Sequence, residues 1–279
     1  MTKNGDLYRI AAFAKTRLGG NPAGVWVGEE LPEPTIMQQI AAEVGFSETA
    51  FVAPASGIER TVRYFSPEAE VTFCGHATIA AGSVLGSAGE ETTYQFSTLA
   101  GEIAVTVRMK SGQAEVSFAS VATKHKPAKD SLVDEALTLL GWNKDDLDDS
   151  IPPAVAYAGA WHLVLAVSNA DRLRDLDYDF AGLKRLMLDE NITTLQLVWR
   201  EHGHLFHARN PFPVGGVVED PATGAAAAAL GGYLRDAGIT TAPVTFEIRQ
   251  GEAMGRPSFL TVEVPKFGGV LVSGSAIRM

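Results

Sequence analysis

One cysteine, Cys74, is present in 279 residues. A single thiol excludes an intrachain disulfide, a cysteine-rich metal site and any mechanism that needs two thiols. Positive charge is also scarce: 23 Lys and Arg stand against 33 Asp and Glu, for a net charge of -10. With no basic stripe to offset that balance, nucleic acid is not expected as a partner. No apolar run approaches the roughly 18 residues needed to span a bilayer, so no membrane association is expected. The first six residues lack the apolar core of a secretory leader, and the expected location is cytoplasmic. The signatures G-x-S-x-G, G-x-x-x-x-G-K and G-x-G-x-x-G are missing too. A serine hydrolase, a P-loop enzyme and a dinucleotide-binding dehydrogenase thus lack their local motifs.

What is present is organised around residues 71–85, an uncharged stretch that reads as a short strand through Cys74, Gly75 and His76 into a helix of small side chains. Ala77, Ala80, Ala81 and Val84 share one helix face, but Ile79, Gly82 and Ser83 opposite are no more polar, so the helix is expected to be buried on all sides. A helix starting at Gly75 presents unpaired N–H groups and a partial positive charge, which suits an anion. The arrangement recurs about 147 positions later, at residues 218–234, with Phe65 over Phe212, Val71 over Val218 and Cys74 over Pro221. An internal duplication follows from this. Two buried helices are expected to aim their N-termini, at Gly75 and Gly224, into one cleft.

The rest of the chain fits two halves, residues 1–122 and 128–265, with a last strand at about 269–279 completing the first. Residues 18–24 read as a glycine-rich loop before a strand at 25–27, and residues 35–44 as a helix stopped by Gly45. A strand over 46–52 is expected to put Glu48 on one face with Phe46, Ala50 and Val52. Strand-like runs at 92–97, 102–109 and 113–120 are joined by turns at residues 100–101 and 111–112. Residues 124–127 have a linker's composition. A helix capped by Asp130 or Ser131 runs to Leu140, residues 144–149 form a solvated loop, and strands at 154–158 and 163–167 flank a turn that includes His162. A helix over 178–188 and a hairpin across His202 and Gly203 lead to the second central stretch. Three strands, at 244–249, 259–264 and 270–272, end the chain.

Glu48 is either a carboxylate reaching water or an arginine such as Arg63, or an acid/base whose pKa burial raises. His202, His204 and His207 are weighed as a metal cluster and set aside as a solvated hairpin tip, so no metal site is expected. Cys74 and His76 need not touch across a strand-to-helix junction, and a free cysteine is commonly a small buried hydrophobe. Asp220, just before the second helix, can cap it, bind substrate or relay a proton. A pair between His76 and Asp220 would tune the histidine for acid/base work.

Asn21-Pro22-Ala23-Gly24, residues 46–51, Gly75-His76-Ala77-Thr78, residues 219–224, Gln250-Gly251 and residues 255–258 are similar, in order, to the motifs of the PhzF-like isomerases of phenazine biosynthesis. The resemblance implies an α+β, diaminopimelate epimerase-like fold: two pseudo-symmetric halves, each a mixed sheet rolled around a central helix. It further implies Glu48 as catalytic acid/base, His76 and Asp220 as assistants, and Asn21, Gly75, Gly224 and Ala225 as substrate-binding positions. The implied reaction is a cofactor-independent proton shift on a small carboxylate metabolite; a homodimer is one assembly expected. Ala225 stands where the family often has serine, and Pro221 where a two-thiol epimerase would have its second cysteine. A non-catalytic small-molecule or protein-binding member of the same fold is the competing reading.

Overall fold

In the computed structural model, which describes residues 5–86, 91–110 and 112–279, strand β1 (Gly5–Ala12) pairs antiparallel with β2 (Asn21–Gly28). The glycine-rich segment expected as a loop up to Gly24 is therefore strand from Asn21 onward. Its glycine is needed for proximity: a Cβ on Gly24 would lie 2.5 Å from Thr49 Oγ1 on the neighbouring strand. Helix α1 (Pro34–Val44) starts on a proline and stops at Gly45, which takes the left-handed φ of 70°. It buries Met37, Ile40, Ala41 and Val44 against Trp26, Phe51 and Phe65. Strand β3 (Thr49–Pro54) is parallel to β2 and antiparallel to β4 (Glu59–Phe65). Strand β5 (Glu70–Val71) is only two residues long. The chain is irregular from residue 72 to 74, rather than strand as expected, before helix α2 (Gly75–Leu85).

Strands β6 (Thr92–Thr98), β7 (Gly101–Lys110) and β8 (Gln113–Ala119) form a meander; of the turn expected at residues 111–112, Ser111 lies outside the described residues. The final strand, Leu271–Arg278, neighbours β8 and pairs antiparallel with β1, so the sheet closes on itself as a barrel. Helix α2 packs on β1, β2, β3, β7 and β8. Its small residues permit this: a Cβ on Gly82 would meet Val116 Cγ1 at 2.6 Å. These elements belong to one compact unit, Met1–Ala119 with Ser273–Met279; the other is Ser120–Val272.

The linker-like Lys-His-Lys-Pro segment is strand β9 (Lys124–Pro127), antiparallel to β10 (Ala154–Tyr157). Its composition suits a sheet edge, where lysine and a terminal proline block further pairing. Lys124 and Lys126 lay their ammonium groups over the Tyr157 and Trp161 rings. Helix α3 (Asp130–Leu140) has Lys129, not Asp130 or Ser131, at its cap position and ends at Gly141. Strand β11 (Trp161–Val167) takes in His162, expected in a turn. Helix α4 (Ala170–Arg174), which the sequence reading missed, is capped by Asn169, and α5 (Phe180–Asp189) by Asp179.

Strand β12 (Thr194–His202) runs parallel to β11 and antiparallel to β13 (Leu205–Arg209). A small ladder of β14 (Pro211–Phe212) and β15 (Val217–Glu219) precedes helix α6 (Gly224–Asp236). Strands β16 (Val244–Gln250) and β17 (Ser258–Val264) complete the order β9-β10-β11-β12-β13-β16-β17. Helices α3 and α5 cover one face, with Leu132, Leu137 and Leu183 in one cluster with Leu195 and Leu197 of β12. Helix α6 packs on β9, β10, β11, β12 and β17. Each unit is thus a mixed sheet with a central alanine-rich helix. Among the described residues, no helix is long and apolar enough to cross a membrane.

Candidate active site

Glu48 lies just before β3, not on a strand face shared with Phe46 as expected. The turn after Gly45 sets its place, and its carbonyl accepts a hydrogen bond from the Gly24 N–H at 3.1 Å. Its side chain, 17% exposed, turns to His76, whose Nε2 is 3.4 Å from Glu48 Oε2. Arg63, named as a possible partner, instead forms two 2.6 Å bonds with Glu70. The imidazole has two further neighbours: Ser47 Oγ at 3.3 Å from Nε2 and Cys74 Sγ at 3.2 Å from Nδ1. Cys74 and His76 therefore do touch. The cysteine is at the N-cap position in extended conformation, and from there its thiol folds over the first helical turn.

A buried network holds this turn. Thr78 Oγ1 donates to the Cys74 carbonyl at 2.8 Å and shares a 2.7 Å hydrogen bond with Tyr64 OH. Burial pushes the Tyr64 hydroxyl well above its ordinary pKa, so it stays a neutral phenol. The result is a half-buried row of thiol, imidazole and carboxylate whose acid/base atoms lie within 4.8 Å of one another. Such a row can pass a proton along its length. Among the described residues it is also the group whose donors could hold a metal ion. The thiol and the carboxylate address different ring nitrogens, which suits a hydrogen-bonded chain better than a shared ion.

The three histidines of the hairpin do not converge. His204 Nδ1 contacts the Thr245 carbonyl at 2.9 Å, while His207 lies between Glu201 and Glu252, at 2.7 and 3.4 Å. That hydrogen bond from His207 holds the Glu201 carboxyl below its ordinary pKa.

In the second unit, Asp220 sits between β15 and α6. Its N–H donates to the Asn210 carbonyl at 3.0 Å, and its Oδ2 accepts from Thr223 Oγ1 at 2.6 Å. Thr223 is the N-cap of α6, yet its hydroxyl caps nothing. Helix α2 likewise starts without a side-chain cap at Cys74. The helices begin at Gly75 and Gly224, 149 positions apart, so the N-cap counterpart of Cys74 is Thr223 and not Pro221, as the sequence offset implied. Gly224 is buried and Ala225 half-buried in the first turn of α6; Asn21 is buried at the head of β2 opposite Ala12. Ser47, Thr223 and Gln250 lie inside recognised motifs, but the sequence reading gave them no role.

Residues 10–279 match the family of phenazine biosynthesis-like proteins, PhzC-PhzF. An uncharacterized isomerase of Deinococcus radiodurans is 33% identical over 268 residues, covering 91% of this chain and 85% of its own. The trans-2,3-dihydro-3-hydroxyanthranilate isomerase of Pseudomonas fluorescens is 30% identical over 254 residues, 90% and 87% of the two chains. The crystal structure of a PhzF-family phenazine biosynthesis protein from Bacillus anthracis superposes with a TM-score of 0.87 over 98% of this chain and 96% of that one, at 23% identity. With the profile matched over nearly its whole length and relatives named as isomerases, the chain belongs to the PhzC-PhzF family and is an enzyme of the isomerase class.

Proposed function

We propose that the protein moves a proton on a small carboxylate metabolite without a cofactor, with Glu48 as the general acid/base. The observation that carries this is the 3.4 Å approach of His76 Nε2 to a Glu48 carboxylate that is largely shielded from water. A carboxylate so placed can take a proton from carbon and, relayed by His76, return one elsewhere on the same molecule. The electron pair left behind passes into the neighbouring π system, and the proton returns either at a different carbon, shifting a double bond, or on the opposite face. Substrate and product have the same composition, which is why no co-reactant is required. The negative charge that develops needs fixed donors, and the uncapped first turn of α2 at Gly75 is suited to supply them; Gly224 and Ala225, in the uncapped first turn of α6, are read as substrate-binding positions. Asp220 is read as a proton-handling and orienting residue, Asn21 as a substrate contact, and the architecture as diaminopimelate epimerase-like.

The compound named for the Pseudomonas fluorescens relative is the first to try. The test incubates the protein in D2O with that compound and a panel of small unsaturated or α-substituted carboxylates, and reads deuterium at carbon by NMR. Incorporation into at least one is expected. Binding with no exchange or rearrangement anywhere in the panel would favour a non-catalytic binding protein. A second reading has its own observation, the 3.2 Å approach of Cys74 Sγ to His76 Nδ1, which would make the thiol the base.

A further inference from the structure

Gln250 is buried at the end of β16, and its side chain makes three hydrogen bonds to Asp220 and Thr223, in the turn ahead of α6. Its Oε1 accepts from the Thr223 N–H at 3.2 Å; its Nε2 donates to the Asp220 carbonyl at 2.7 Å and to Thr223 Oγ1 at 3.0 Å. The orientation of this amide is not free. A backbone N–H on one side demands the oxygen and a backbone carbonyl on the other demands the nitrogen. Thr223 Oγ1 therefore faces a donor and must accept. Its own hydrogen then has a partner 2.6 Å away, Asp220 Oδ2. A threonine at an N-cap ordinarily accepts from its helix; this one is turned round into a donor toward a carboxylate.

The strand end that carries Gln250 is docked against the same turn. Gly251 has φ +75°, and a Cβ there would lie 2.4 Å from the Arg256 carbonyl oxygen and 2.7 Å from that of Pro221. The Arg256 N–H returns to the Gly251 carbonyl at 3.0 Å, and Gln250 pairs with Ser258 across β17. The glutamine is thus held by backbone on both sides.

We propose that Gln250 is a positioning residue that acts through Thr223: by donating to the threonine hydroxyl it fixes that hydroxyl as a hydrogen-bond donor to Asp220, which holds the carboxylate in one orientation. This rests on reading Asp220 as part of the proton-handling set. The relay itself is independent of that reading and is tested without turnover.

The experiment follows the Asp220 side-chain carboxyl by NMR in protein labelled with 13C-aspartate, its resonance assigned by its loss in Asp220→Asn. Thr223→Val, which keeps shape and removes the hydroxyl, is expected to move the titration midpoint up by about one pH unit, since a hydrogen bond to the charged form is lost. Thr223→Ser restores the donor and is expected to restore the midpoint. Gln250→Met is expected to raise the midpoint in the Thr223 protein and to add less than a third of that rise in the Thr223→Val protein, because its effect passes through the hydroxyl. Thermal unfolding controls for folding; should Gln250→Met not fold, the Thr223→Val and Thr223→Ser comparison decides. A midpoint unmoved in Thr223→Val, or a Gln250→Met shift equal in both backgrounds, overturns the relay. Full turnover by Asp220→Asn would overturn only the functional reading of Asp220.

Discussion

His162 is wholly buried, with Nδ1 2.8 Å from Thr194 Oγ1, and burial pushes its pKa down to about 3 from the ordinary value of 6.5. The unfolded chain therefore binds this proton at a pH where the folded protein does not, so stability falls as pH drops from about 6.5 toward 3 and is unaffected by this group above that window. The slope contributed is at most about 1.4 kcal/mol per pH unit. His162→Gln, which retains a hydrogen-bonding group for Thr194, is expected to lose stability less steeply between pH 6.5 and 4.5 in urea denaturation; identical slopes would contradict it. The sequence reading placed His162 in a turn and so missed its burial in β11. Glu48 was singled out in the sequence for a strand face it does not occupy, and its partner was not foreseen. Arg63 is claimed by Glu70 through the short β4–β5 pairing, and the Cys74 to His76 contact depends on a thiol folding over a helix start, which spacing alone does not reveal.

At the scale of elements, helices that carry their stop or their composition in the chain were the most legible: Gly45 after α1, Gly141 after α3, and the alanine run that opens α6; the five-residue α4 has neither and was missed. Strand β9 was not, because a sheet edge selects the same lysine and proline that mark a linker. The loop from Gly251 to Gly255 shows the difference between a glycine needed for its backbone and one needed for space. Both have positive φ, but a Cβ on Gly255 meets nothing within 4 Å, whereas one on Gly251 collides with two carbonyl oxygens. Gly255→Ala is expected to cost about 1 kcal/mol from left-handed strain alone. Gly251→Ala adds overpacking of about 1–3 kcal/mol and is expected to shift the Asp220 turn as well. Denaturant midpoints of the two variants check this, and equal losses would refute it.

For the molecule as a whole, each compact unit has mixed strands packed on a helix of small residues that lets them approach closely, as at Gly82 and Gly231. The offset of about 147 holds for the short strand ladders, where Phe65 pairs with Glu70 and Phe212 with Val217, and grows to 149 at the helix starts, so the second copy carries two more residues ahead of its helix. The account requires no bound group for the chemistry, so elemental analysis and an absorption spectrum of the purified protein are expected to show no stoichiometric metal, flavin, nicotinamide or pyridoxal. One metal ion per chain, lost together in Glu48→Gln and Cys74→Ala, would assign the row to a metal instead. The central claim is that the carboxylate and not the thiol handles the proton. It is tested most directly by the rate of deuterium incorporation from D2O into the turned-over substrate by Glu48→Gln and Cys74→Ala, with thermal unfolding as the folding control. The account predicts a loss of about a hundredfold or more for folded Glu48→Gln and a far smaller one for Cys74→Ala; exchange abolished in Cys74→Ala and retained in Glu48→Gln would contradict it.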